Sequence, residues 1–154
     1  VRVFEASTRT GMPFEAGTFD LVLNRHGGFK ATEVCRILKP GGVFLSQQVG
    51  GDNLADLTAI FGAMLPYPEN TPDRVCDAFT ALGCEIRRCE AWRGPVTFSD
   101  VGALVYFLKA VPWVIKDFDV RLCQDVLGAL HRDQLEGRPL RFTYSRFLIE
   151  VAKT

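Results

Sequence analysis

Apolar residues change their spacing several times along the chain, and each change marks an element. Phe19-Asp20-Leu21-Val22-Leu23 is a short apolar run between Gly17 and the polar Asn24-Arg25, and predicts a buried strand. Over residues 30–38, Ala31, Val34, Cys35 and Leu38 take the i, i+3, i+4, i+7 spacing of an amphipathic helix. Pro40 keeps Lys39 out of helical geometry, and Gly41-Gly42 permit a tight reversal. Residues 43–49 then predict a second strand. A strand, one helix and a strand so closely joined predict a parallel pair in an α/β sheet.

Asp52 or Asn53 is expected to cap the next helix, with Leu54, Leu57, Ile60, Phe61, Met64 and Leu65 on its apolar face and Pro66 as its stop. Thr71 as cap and Pro72 at the first helical position start a helix that runs to Leu82, where Gly83 ends it. Residues 84–92 predict a strand, 101–111 a helix begun by Ser99-Asp100, and 120–135 a longer helix. Residues 140–152, with Phe142, Tyr144, Phe147 and Ile149, predict a long final strand. Val1-Arg2-Val3-Phe4 opens the chain inside a strand-like run, the pattern of a chain that begins within an element. One domain is expected over residues 1–154.

Composition narrows the classes. With 47% hydrophobic and 23% charged residues the chain is of ordinary globular type. Eighteen basic residues balance eighteen acidic ones, so no global field draws it to nucleic acid or an anionic membrane. Five cysteines without a CxxC pair, and only two histidines, argue for free thiols in a reducing cytoplasm and against a metal site or a disulfide framework. No apolar run is long enough to cross a bilayer, so a cytoplasmic protein is expected.

Gly11-Met12-Pro13-Phe14-Glu15-Ala16-Gly17-Thr18-Phe19-Asp20-Leu21-Val22 resembles the passage that leads into the fourth strand of class I S-adenosylmethionine-dependent methyltransferases. Ile37-Leu38-Lys39-Pro40-Gly41-Gly42-Val43-Phe44 resembles that family's turn into the fifth strand. The order and separation of the two suit a single intervening helix. Asn24-Arg25-His26, Gln47-Gln48-Val49-Gly50 and the stretch from Arg146 to Lys153 narrow the resemblance to a bacterial branch of the type 11 methyltransferases.

The resemblance implies a partial Rossmann-like α/β fold, a mixed and mainly parallel sheet flanked by helices, with a helical insert before the last strand. It implies methyl transfer from S-adenosylmethionine to an acceptor the sequence does not identify. The family's glycine-rich cofactor turn has no counterpart here. Two strand–helix units of about 30 residues or more each are therefore expected to be missing, and activity of this chain alone to be impaired. A homodimer across the open strand edge, or a missing N-terminal segment, is the expected partner. The alternative is a non-catalytic dimerising module. A dinucleotide oxidoreductase fragment is disfavoured, because its glycine fingerprint is also missing.

Three groups of residues are candidates for the site, at the carboxyl ends of the strands. Ser7 and Thr8 stand where relatives contact adenine, Thr8 in place of their aspartate; a plain turn hydroxyl is the alternative. Asn24, Arg25 and His26 stand near the reactive methyl. Asn24 and Arg25 are candidate cofactor contacts, and Asn24 and His26 candidate catalytic residues. His26 is either a general base or a loop histidine against Gly27-Gly28. Arg25 either binds an anionic substrate group or pairs with Glu33. Gln47, Gln48 and Asn53 form the third group, as substrate contacts or as partners for backbone at the strand end. Gly50-Gly51-Asp52 reads as a loop and cap rather than a phosphate nest. Tyr106 and Trp113, with Phe98, Phe107 and Phe118, either roof a substrate pocket or belong to the core.

Overall fold

The computed structural model describes residues 2–6 and 11–154. Its elements run β1 (Phe19–Arg25), α1 (Ala31–Ile37), β2 (Leu38–Val49), α2 (Ala55–Ile60), α3 (Pro72–Thr80), β3 (Glu85–Phe98), α4 (Val101–Ala110), α5 (Gln124–Leu135) and β4 (Leu140–Ala152). The strands form one sheet in the order β1-β2-β4-β3.

The pair expected to be parallel is parallel: β1 runs beside β2, with Leu21 opposite Val43 and Leu23 opposite Leu45. β4 then returns antiparallel along β2, with Gln48 opposite Phe147. The sheet is therefore mixed and mostly antiparallel, which corrects the expectation of a mainly parallel one. The reason is connectivity. The helix α1 joins the neighbours β1 and β2 in parallel, whereas β4 runs antiparallel beside β2 and separates it from β3.

Gly42 shows why the first part of β2 takes glycine. A Cβ there would lie 2.9 Å from the Lys39 carbonyl oxygen and 3.0 Å from that of Phe19. β3 runs six residues beyond its expected end, through Pro95. Among the described residues it is an edge strand, where a missing N–H costs no ladder bond. Residues 2–6 carry no strand pairing, contrary to the opening strand expected there, and Val1 lies outside the described residues. Phe4 instead packs edge-to-face on Phe14, and Phe14 on Phe19, with ring centroids 5.1 and 4.9 Å apart.

Two compact units divide the chain. The first holds the described residues of Val1–Gly50, with Glu69–Trp92 and Arg146–Thr154. Its core gathers Val34 of α1, Phe44 of β2, Phe79 of α3 and Phe147 and Ile149 of β4. The rings of Phe29, Phe44 and Phe79 meet at centroid distances of 5.0 to 5.9 Å. Truncating a buried ring of this kind to alanine costs about 3–5 kcal/mol. α3 starts as its sequence predicts, with the Thr71 hydroxyl accepting from the Arg74 N–H and Pro72 in the first turn.

The second unit, Gly51–Pro68 and Arg93–Ser145, is built on Leu57 of α2, Leu104 and Leu108 of α4, Leu130 of α5 and Phe142 of β4. α4 is capped by Asp100, whose carboxylate accepts from the Ala103 N–H at 2.7 Å. α2 departs from expectation. It stops at Ile60, two residues before Gly62 at φ +61°, and leaves Met64 exposed. Neither Asp52 nor Asn53 caps it with a side chain: Asp52 pairs with Arg93, and Asn53 Oδ1 accepts from the Ser145 N–H at 3.0 Å. The cap position falls to Leu54 in the left-handed region, φ 57°. At Gly51 a Cβ would lie 2.5 Å from the Pro68 carbonyl oxygen, so close backbone approach is what requires that glycine.

Candidate functional site at the carboxyl ends of the parallel strands

In the first unit, β1 and β2 end side by side at Arg25 and Val49. Loops beyond such ends are where open α/β sheets take ligands. Side chains alternate along each strand, so Asn24, Ser46 and Gln48 share the face that also carries Phe44. They satisfy one another. Asn24 Oδ1 accepts from Ser46 Oγ at 3.1 Å and from Gln48 Nε2 at 2.6 Å. Gln48 Nε2 also approaches Ser46 Oγ at 2.8 Å and the Gly27 carbonyl at 3.2 Å. Gln48 is buried, so this network fixes the loop after β1 from below.

His26 follows directly. Its backbone sits at φ 56°, held there by an N–H bond to the Gln47 carbonyl at 2.8 Å. A left-handed conformation is uncommon away from glycine and recurs at functional sites. Partial burial of the imidazole pulls its pKa below the ordinary value, and the charges of Arg146 and Arg25 pull the same way. The ring is therefore neutral at pH 7 and able to accept a proton. Arg25 is the register partner of Gln47, and Arg146 lies opposite Val49 on β4. A chain of zero net charge thus carries two arginines around one histidine.

Glu33 is not the partner of Arg25. Its carboxylate accepts from Arg36 Nε at 2.6 Å, from Arg36 Nη2 at 3.0 Å and from the Met12 N–H at 2.8 Å. Those bonds hold its pKa down to about 2. The i, i+3 spacing on α1 puts Arg36 beside it. Arg36 also donates to the carbonyls of Phe14 and Met12, which clamps the approach to β1 onto α1.

Of the other candidates, Ser7 and Thr8 lie outside the described residues. Gln47 is half-buried. Asn53, Tyr106 and Trp113 belong to the second unit, where Tyr106 and Trp113 are exposed while Phe98, Phe107 and Phe118 pack against its core. Sequence reasoning missed Ser46, Asn70 and Arg146. Asn70 Nδ2 donates to the Val49 carbonyl at 2.7 Å and fixes the end of β2. The alternation through Ser46-Gln47-Gln48 was a usable signal for Ser46. Arg146 had none, because its neighbourhood depends on the antiparallel return of β4. Among the described residues no group of three or more His, Cys, Asp and Glu could hold a metal ion, and no helix is long and apolar enough to cross a membrane.

Comparison with solved structures brings out the architecture. A Bacillus halodurans protein assigned as a methyltransferase (BH2331) superposes with a TM-score of 0.58 at 15% identity, over 92% of this chain and 67% of its own. The YcgJ protein of Bacillus subtilis gives a TM-score of 0.62 at 18% identity, over 97% of this chain and 70% of its own. The fold is methyltransferase-like. At such identities the likeness is one of fold alone. The [4+2]-cyclase SpnF shares this methyltransferase-like fold at a TM-score of 0.50 and 16% identity, with 97% of this chain matching 56% of that one. No family model matches the sequence, and no curated protein does.

Proposed function

We propose that this chain is the acceptor-side portion of an S-adenosylmethionine-dependent methyltransferase. The observation that supports it best is the parallel β1/β2 pair with β4 returning antiparallel between β2 and β3, in a fold similar to BH2331. When bound, the cofactor supplies a methyl group on a sulfonium for transfer to a nucleophile. The residues of this chain contribute the wall beside that nucleophile. His26, neutral at pH 7, takes the acceptor's proton, and Arg25 and Arg146 favour an acceptor with anionic character.

The described residues do not make a complete cofactor site. They offer no glycine-rich strand-to-helix turn and no acidic strand end for a ribose. On this proposal those contacts come from polypeptide outside the described residues. Calorimetric titration of S-adenosylmethionine into the 154-residue chain should therefore give binding weaker than about 1 mM. A micromolar affinity would overturn the incomplete-site part of the proposal. Methyl transfer by an assembly containing this chain, lost on His26→Asn with cofactor affinity retained, would support the acceptor-side role.

A second reading has an observation of its own. Leu21 and Leu23 on β1, an edge strand among the described residues, are 53% and 68% exposed, which favours a non-catalytic module that pairs through this edge. A shared fold does not carry a shared reaction, so the methyltransferase-like architecture is compatible with either reading.

A further inference from the structure

Four of the five cysteines fall into two pairs within the first unit. Cys35 on α1 and the buried Cys84, just ahead of β3, bring their sulfurs to 2.9 Å across 49 residues of sequence. That is within about 1 Å of the ~2.05 Å of a disulfide bond. Cys76 on α3 has the exposed Cys89 of β3 as its neighbour, and burial first, then that neighbour, pushes the Cys76 thiol up to about 12. A sequence with no CxxC spacing gave no sign of either pair.

We propose that Cys35 and Cys84 form a modification site that takes a disulfide by exchange with a low-molecular-weight disulfide such as oxidised glutathione. Cys84 is only 7% exposed and Cys35 is half-buried, so Cys35 meets the reagent first. The Cys35 thiolate attacks one sulfur of the reagent, forms a mixed disulfide and releases one thiol. The Cys84 thiolate then attacks the Cys35 sulfur and releases the second. Two protein thiols are oxidised, one external disulfide is reduced to two thiols, and the protons lost by Cys35 and Cys84 end on those leaving thiols. The bridge would tie α1 to the start of β3 and close the loop that carries β2 and α3.

The surroundings set the rate. Burial first, then the bond to Cys84, pushes the Cys35 thiol up to about 12, and the charge of Lys153 offsets this only in part. Little thiolate is present at neutral pH, so exchange should be slow and should accelerate as pH rises.

The test treats the whole chain with oxidised glutathione, alkylates the remaining thiols and maps the peptides without reduction. Cys76 and Cys84 share one tryptic peptide, so the mapping is repeated in Cys76→Ser/Cys89→Ser. The expected result is a Cys35–Cys84 cross-linked peptide that disappears on reduction, with a Tm several degrees above that of the reduced chain. Recovery of Cys35 and Cys84 as alkylated thiols or as separate glutathione adducts would overturn the proposal. If the double variant does not fold, fragment spectra of the wild-type peptide distinguish a Cys84 link, which supports the proposal, from a Cys76 link, which refutes it.

Discussion

Gln48 Nε2 donates to Asn24 Oδ1 at 2.6 Å and so joins the carboxyl ends of the two parallel strands beneath the His26 loop. Gln48→Leu removes that donor and leaves buried acceptors short of a partner. A loss of about 1–3 kcal/mol in stability is expected. Urea denaturation should show a lower midpoint with an unchanged slope. A midpoint equal to wild type would mean that Gln48 is spare for a ligand and not part of the scaffold.

His26 gives a pH signature with a definite sign. Its folded pKa lies below the unfolded value near 6.5, so the unfolded chain binds more protons between the two. The stability linked to this residue is intact at and above about pH 6.5 and is lost as pH falls through the folded pKa. Asparagine tolerates the left-handed backbone and does not titrate, so His26→Asn should remove that component of the slope. Denaturation midpoints of both proteins between pH 5 and 7.5 check it; parallel curves would sink the assignment.

The Glu33–Arg36 clamp titrates in a different window. A carboxyl held at about 2 favours the folded state above the unfolded value near 4.5, and that contribution disappears as pH drops toward 2. The protection factor of the Met12 amide, which donates to Glu33, should fall across this window relative to the intrinsic exchange rate at each pH. Glu33→Gln should show fast exchange already at neutral pH. Unchanged protection in that variant would assign the anchoring to Arg36 alone.

Local chemistry made most elements legible. Thr71-Pro72 gave the start of α3, Asp100 the cap of α4, and the apolar run with its proline–diglycine bend gave a parallel pair. What failed was nonlocal. The position of β4 between β2 and β3 has no periodicity to announce it, so the sheet was expected to be mainly parallel and Arg146 was not among the site candidates. Glu33 illustrates the same limit at close range, where Arg36 one turn along the helix competes with Arg25 and wins through backbone contacts to Met12 and Phe14. Leu54 in a left-handed cap position ran against its own propensity, because Asn53 was engaged by Ser145 instead.

The β1 edge yields the last prediction. Among the described residues β1 has no neighbour on its outer side, and Leu21 and Leu23 point to one exposed face. A two-fold axis perpendicular to the sheet pairs strands antiparallel and keeps each face on its own side, so opposite residues share parity. Centred on Val22, such pairing sets Leu21 of one copy against Leu23 of the other, twice over, and gathers four leucines on one surface. Sedimentation should show a concentration-dependent dimer of the 154-residue chain, shifted toward monomer by Leu23→Lys, which places like charges near the axis. A wild-type chain that stays monomeric at high concentration would remove the support for the edge-pairing module and leave the acceptor-side role standing.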